Sequence, residues 1–327
     1  MRAVREWTAQ LRQPLRAQAA LGGVTMLVLV LSGCASGSAA RIPGREPVLV
    51  EAIEVNTPAG LARGYIASVN LADPRVQIVV TRALPDAQRI GGAEAILRPV
   101  DAFAREIGAK LAVNANFFAK LKPQAPDSSI NNEDNVAYIR GDRADILGLS
   151  VSDGVTVSPE RTFSGRPDPA LVIRKSPTTP GHIAAAGYLT LASSGPIDDG
   201  VAGIGASATD TLAGTLLVEN GNNLGASARV EPAKRHPRTA AGVTGDGRTL
   251  VLVTIDGRQK DWSVGMTLPE LADVLIQRGC VAGINLDGGG STTMVYAAAG
   301  GEPRVINRPS DGTPRAVANA LAVVVQE

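Results

Sequence analysis

The sequence predicts an α/β or α+β fold, a single domain with a mixed β-sheet core flanked by helices, on three observations. Runs of β-branched and apolar residues bounded by Gly, Pro and Asp recur along the chain, as at residues 48–55, 64–71 and 76–81. A complete helix signal spans 267–279: Thr267 stands at the N-cap, Glu270 closes a capping box, Pro269 lies in the first turn and Gly279 is the stop, with Leu268, Leu271, Val274 and Leu275 on one face. An apolar run, 280–286, follows at once and reads as a buried strand. A helix feeding a strand is an αβ unit, so the residue at that strand's C-terminal end, Asp287, occupies a common place for chemistry in α/β folds.

The first 33 residues do not belong to this domain. Arg2, Arg5, Arg12 and Arg16 make a basic leader, and residues 21–31 form an apolar run of 11, short of the roughly 20 that a membrane span needs. Leu31-Ser32-Gly33-Cys34 resembles the bacterial lipoprotein cleavage box, in which the cysteine is lipidated; an ordinary secretory signal or an uncleaved anchor are the alternatives. Ala35 and Ser36 supply no acidic retention signal. The expectation is therefore a lipid anchor at Cys34 in the cell envelope, at the outer membrane facing the periplasm, with residues 34–47 as a flexible tether and 48–327 as the domain.

Of 32 basic and 31 acidic residues, four basic and one acidic lie in the leader. The remainder carries 28 against 30, a net of −2, which leaves nucleic-acid binding without an electrostatic basis. Cys280 is then the one cysteine besides Cys34; no intramolecular disulfide follows, and within an apolar strand it reads as a small buried hydrophobe. Two histidines, His182 and His236, and one spare cysteine do not make a zinc site. Residues 127–135 are rich in oxygen ligands. Calcium is the ion they would suit, yet they lack the D-x-[DN]-x-[DN]-G spacing, and a solvated loop is the simpler reading. No cofactor is required, and no serine elbow is present; His236 reads as a polar loop residue.

Along the domain, residues 93–108 have helical spacing with Pro99 to start or kink it. A strand over 110–113 runs into Asn114-Ala115-Asn116-Phe117-Phe118, where amides beside aromatic faces suit sugar recognition; one buried and one half-exposed Phe on a strand is the equal alternative. Residues 161–181 are proline-rich and read as a loop or an inter-lobe crossover, and residues 215–218 as a short strand leading to Glu219. Arg235-His236-Pro237-Arg238-Thr239 opens an apolar strand; a guanidinium held there is a two-pronged clamp for phosphate or carboxylate, the alternative being an ion pair at the surface. A hairpin turn at 244–248 leads to a strand over 249–256. Leu286-Asp287-Gly288-Gly289-Gly290-Ser291-Thr292-Thr293 drives a carboxylate into a glycine- and hydroxyl-rich turn, where absent side chains let a ligand approach backbone N–H groups; a plain tight turn is the bland alternative. The chain closes with Asn307-Arg308-Pro309-Ser310-Asp311-Gly312, Asn319 and a strand over 320–325.

Taken together these motifs resemble the phosphodiester glycosidase family, over roughly residues 48–325 and most densely after Arg235. The resemblance implies hydrolysis of a sugar-1-phosphodiester to free sugar and phosphomonoester. It places Asp287, Arg238 and Thr239 in the catalytic machinery and Asn116, Gly288, Gly289, Ser291, Asn307, Ser310, Asp311 and Asn319 in substrate binding or its supporting turn. Asp287 would face the anomeric carbon as base or nucleophile, with Glu219 and Asp311 as candidates for a second carboxylate. Family members commonly carry N-G-G-[FY]-F where this chain has Asn114-Ala115-Asn116-Phe117-Phe118, which predicts a reshaped sugar pocket. The substrate class expected is an envelope or exopolysaccharide glycan; a polysaccharide-binding or assembly lipoprotein without catalysis is the alternative.

Overall fold

A computed structural model describes residues 46–121, 138–163, 165–203 and 214–326. The leader, Cys34, nearly all of the tether and the oxygen-rich loop at 127–135 lie outside the described residues. The protein is mostly β-sheet with few helices. The strands that frame the site are Val48–Thr57 (β1), Gly60–Asn70 (β2), Val76–Val80 (β3), Leu111–Asn114 (β4), Arg238–Thr244 (β5), Thr249–Ile255 (β6), Cys280–Asn285 (β7), Met294–Tyr296 (β8) and Ala320–Val325 (β9). One seven-stranded sheet runs β1-β2-β6-β5-β7 and then Val218–Glu219 and Asn222–Asn223; a five-stranded sheet runs Arg304–Val305, β8, β4, β9, β3. A further five-stranded sheet contains Ala170–Lys175 at 170–175, inside the stretch expected to be a loop.

Every strand pairing among the described residues is antiparallel. That corrects the expected mixed sheet. The helix-to-strand unit is nonetheless present in modified form. Both β6 and β7 pair antiparallel with β5, so they run parallel to one another with β5 inserted between them. The intervening helix, Leu268–Gln277 (α2), therefore crosses over a strand rather than linking neighbours.

Helix α2 has the predicted ends. Thr267 and Glu270 close the capping box, and Arg235 grips the Glu270 carboxylate with two bonds of 2.8 and 2.5 Å. Its apolar face is buried against β5 and β7. Gly242 and Gly283 sit opposite one another in the β5–β7 register and form a dimple for Leu275. A Cβ on Gly283 would lie 2.7 Å from Leu275 Cδ1, and one on Gly242 2.7 Å from Cys280 Sγ. Cys280 is buried as expected, its thiol pushed up to about 12 by loss of solvent. The expected helix over 93–108 is shorter, Val100–Glu106 (α1). Pro99 stands at its N-cap, and the residues before it are drawn into β-pairings, Ala95–Ile96 with Arg143 and Ala144 and Arg98-Pro99 with Ala316-Val317. Tertiary pairing here overrides helical spacing.

The topology brings one set of strand ends together. Arg238 pairs with Ile255, Ala240 with Asn285, and Ala320 with Asn114. The start of β5, the ends of β6 and β7 and the end of β4 therefore meet at one edge of the molecule.

Candidate active site

Asp287 leaves β7 at that edge and is fixed through its own backbone. Leu286 N–H donates to Thr239 C=O and Asp287 N–H to Ala115 C=O, both at 2.9 Å. Asp287 C=O accepts from Asn114 Nδ2 at 2.6 Å. The Asn114 amide oxygen in turn accepts from Thr239 Oγ1 at 2.8 Å and from Thr293 N–H at 3.1 Å. One buried amide thus ties together the ends of β4, β5 and β7 and the chain leading into β8. Breaking it would leave several buried polar groups unpaired, at roughly 1–3 kcal/mol each.

The Asp287 carboxylate lies at the floor of a cleft of about 190 Å³, walled by Phe117, Glu231, His236, Arg258, Arg315 and the glycine loop. Its surroundings are dense although the residue keeps some exposure. Loss of solvent pushes its pKa up to about 6; the Ser291 hydroxyl, the Arg315 charge and the Gly288 N–H, which donates to Oδ1 at 2.9 Å, act in the opposite direction. The Ser291 hydroxyl lies close enough to exert this effect but reaches no regular hydrogen-bond geometry with a protein atom. At neutral pH the group is mainly ionised and poised near the value a general base requires.

Arginines surround this carboxylate. Arg315 binds Asp311 through Nε and Nη2, at 2.9 and 2.8 Å, and stacks on Tyr138 with its guanidinium carbon 4.4 Å from the ring centre. It also packs so closely on Gly290 that a Cβ there would fall 2.0 Å from Nη2. Arg258 lies over Gly289, where a Cβ would meet Nη1 at 3.2 Å. Gly288 N–H is engaged with Asp287 and Gly289 N–H with Pro237 C=O at 2.9 Å, so Gly290 supplies the remaining backbone donor of the loop.

Several assignments made from the sequence are corrected by these positions. Arg238 is buried, and its fork is filled by main-chain carbonyls of Met266, Val230, Glu231 and Lys234 at 2.9–3.2 Å. It touches the cleft, but its donors brace the 230–234 loop rather than point as a free two-pronged clamp. Burial brings it down to about 10. Thr239 is fully buried and serves Asn114. Asn116 spends its amide on Leu147 and Leu149 carbonyls, Ala202 N–H and Asn319. The side chain in place of the family's second glycine therefore enters the core, and Phe117 forms the cleft wall. Asn319 completes that pair through Asn116 N–H at 2.9 Å. Asn307 binds Met294 N–H, Thr292 C=O and Asp256, so it too is a brace. Ser310 and Asp311 sit beside the cleft and hold Arg315, the Ser310 hydroxyl donating to Asp311 at 3.4 Å. Glu219 is exposed beside Ala282, at the opposite end of β7 from Asp287. Asp287, Gly288, Gly289 and, in part, Arg238 are the sequence-chosen residues that line the cleft, with Ser291 buried beneath.

Sequence reasoning missed Arg258, Arg315, Glu231 and the role of Asn114. A signal existed for Arg258: Asp256-Gly257-Arg258 follows a buried strand just as Asp287 does. Asp256 is buried, accepts from Trp262, Asn307 and the Arg308 N–H, and fixes that strand end. A larger cavity of about 680 Å³ lies between β3, α1 and residues 82–98. Its one carboxylate, Glu106, is already paired with Arg98, so the chemistry points to the smaller cleft. Among the described residues no cluster of three His, Cys, Asp or Glu side chains could hold a metal ion.

The family profile for phosphodiester glycosidases matches residues 108–324. The chain belongs to the phosphodiester glycosidase family. All the cleft residues named above lie within that span. In fold, the chain is similar to the catalytic domain of zebrafish N-acetylglucosamine-1-phosphodiester alpha-N-acetylglucosaminidase, a structure auto-inhibited by its pro-peptide, with a TM-score of 0.58 and 20% identity over 93% of this chain and 89% of that one. It is also 39% identical over 89 residues to the SPbeta prophage-derived uncharacterized protein YomE of Bacillus subtilis (strain 168). That match covers 27% of this chain and 13% of the Bacillus protein.

The raised pKa of Asp287 yields a stability test. A carboxyl whose folded pKa exceeds its unfolded value stabilises the fold below the unfolded pKa, near 3.8, and that contribution is lost as pH rises through about 6. Asp287→Asn is neutral throughout. Its thermal midpoint is expected to gain on the wild type as pH rises from 4 to 7, and a gap that stays flat over this range would show that Asp287 titrates normally.

Proposed function

We propose that the protein hydrolyses sugar-1-phosphodiesters, cleaving the bond between the anomeric carbon and the bridging oxygen and releasing a phosphomonoester. The observation that carries this reading is an ionisable carboxylate, Asp287, beside the glycine loop of a cleft whose rim bears Arg258 and Arg315 together with Glu231. A phosphodiester site needs fixed positive charge where the leaving phosphate gathers its own, and pre-positioned guanidinium groups and a backbone N–H provide it with no reorganisation during the reaction. Because a phosphomonoester is a far more stable leaving anion than an alkoxide, cleavage at carbon asks little of a general acid. Asp287, facing the anomeric carbon, acts as base toward water or as nucleophile. Phe117, half-buried on the cleft wall, offers an apolar face for the sugar ring.

The proposed substrates are envelope or exopolysaccharide glycans. This follows from the leader and Leu31-Ser32-Gly33-Cys34, which support lipidation at Cys34 and attachment at the outer membrane, facing the periplasm. A binding or assembly lipoprotein without catalysis would not require a carboxylate poised near neutrality, and that favours the enzyme.

Asp287→Asn is nearly isosteric and keeps an oxygen for Gly288 N–H, so the fold and ligand binding are expected to persist while single-turnover hydrolysis falls by about 10³-fold or more, mainly in kcat. Turnover at the wild-type rate in the folded variant would remove Asp287 from the chemistry. For the anchor, Cys34→Ser is expected to abolish metabolic labelling with palmitate and release the protein from the membrane fraction. Retained labelling would contradict lipidation at this residue.

A further inference from the structure

Glu231 and His236 stand in a contiguous arrangement with Arg258 on the rim of the Asp287 cleft, and no step above uses either of them. His236 Nδ1 lies 3.3 Å from Arg258 Nε and 3.0 Å from Arg258 Nη2. Its Nε2 lies 2.7 Å from Glu231 Oε2, a close contact off the line of a straight hydrogen bond. Arginine only donates, so Nδ1 carries the lone pair and Nε2 the proton. Both ring nitrogens are thereby occupied by protein, and neither is open toward Asp287 as acid or base. The imidazole is a spacer between a carboxylate and a guanidinium.

The backbone is arranged to hold this spacer. Glu231 and Arg258 both adopt left-handed conformations, at φ 43° and 58°, which are unfavourable for a non-glycine residue and are kept where surrounding structure dictates them. Glu231 C=O is one of the four carbonyls gripped by Arg238, and its carboxylate also meets Lys234. Gly257 leaves no room beside the His236-Pro237 backbone; a Cβ there would stand 2.7 Å from Pro237 N and 3.0 Å from His236 C. His236 is itself pinned by exchange of backbone hydrogen bonds with Met266 at 3.1 and 3.3 Å. With Nε and Nη2 turned to His236, the Arg258 guanidinium carries Nη1 over Gly289, at the cleft.

We propose that Glu231 and His236 are positioning residues whose function is to hold the Arg258 guanidinium over the Gly289–Gly290 loop, where Arg258 binds the phosphate group of the substrate and of the phosphomonoester product. The inference rests on the reading of this cleft as a phosphodiester site. It gives Arg258 the two-pronged role that the sequence suggested for Arg238, and it makes Nδ1 the atom of His236 that matters. Burial together with the Arg238 and Arg258 charges depresses the His236 pKa against the opposing pull of Glu231, in keeping with a neutral imidazole.

Asn and Gln separate the two ring nitrogens. An Asn amide oxygen falls near the place of Nδ1, whereas a Gln amide reaches the place of Nε2. In the full-length protein, binding of inorganic phosphate is measured by calorimetry, and kcat and KM are measured on a methyl diester of a sugar 1-phosphate. His236→Gln is expected to weaken phosphate binding and kcat/KM by about 10- to 100-fold through loss of one charge-assisted contact geometry. His236→Asn should retain both to within about threefold, and Arg258→Lys should match His236→Gln. Because His236 acts through Arg258, the double variant His236→Gln/Arg258→Lys should lose little more than Arg258→Lys alone. Equal losses in the Asn and Gln variants, additive losses in the double variant, or unchanged phosphate binding in His236→Gln would each overturn the relay. If wild-type protein neither binds phosphate nor cleaves the diester, it is the phosphodiester reading that fails.

Discussion

The buried amide of Asn114 is the constraint on which the rest of this active-site region depends. Three chain segments meet at this side chain: the β5 start through Thr239, the β7 end through the Asp287 carbonyl, and the segment entering β8 through Thr293 N–H. Each partner is buried or nearly so, and an amide that satisfies donors and acceptors together costs little in place and much to remove. The Asp287 carboxylate is therefore located by the main chain on which it sits, before any contact of its own side chain.

The polar residues around the cleft divide by depth. Asn116, Asn307, Asn319, Asp256 and Arg238 are buried and bind backbone groups, and buried Thr239 serves the Asn114 amide, which keeps irregular strand ends satisfied where regular pairing stops. Arg258, Glu231, Asp311 and Arg315 lie nearer solvent; Asp311 holds Arg315, Glu231 meets His236 beside Arg258, and the two guanidinium groups bring positive charge to the cleft that holds Asp287. Glycines at 288, 289 and 290 separate these shells. They allow the backbone to pass between Pro237 on one side and the two arginines on the other with no side chain in the way.

How much of this could be read from the sequence follows from the range of the forces involved. Helix α2 was legible to within a residue or two because its capping box, its proline and its terminal glycine are local signals. Strands β3, β7 and β9 were legible for the same reason, as apolar runs between turn residues. The sheet's pairing direction was not, because a helix followed by a strand has the same sequence pattern whether the crossover joins neighbours or steps over β5. Asp287 was legible because strand and glycine turn adjoin it in sequence. Arg238 misled: a guanidinium at a strand start looks the same whether it faces a ligand or the carbonyls of residues 230–234, and only the packing of that loop decides. Asn114 and Asn116 show the same limit: a continued strand would put both amides on one face, but β4 ends at Asn114, so Asn114 binds Asp287, Thr239 and Thr293 while Asn116 turns to Leu147, Leu149, Ala202 and Asn319. Arg315 acquires its place through contact with Gly290, which no local pattern encodes.

The account stands or falls on which bond is broken. Carbon–oxygen cleavage assigns the water to the anomeric carbon beside Asp287 and leaves phosphate as a leaving group held by arginines; phosphorus–oxygen cleavage would assign the water to phosphorus and give Asp287 no such role. A sugar-1-phosphodiester is incubated with the protein in water enriched in heavy oxygen, and both products are weighed by mass spectrometry. The label is expected on the sugar, with an unlabelled phosphomonoester; label on the phosphomonoester would contradict the mechanism.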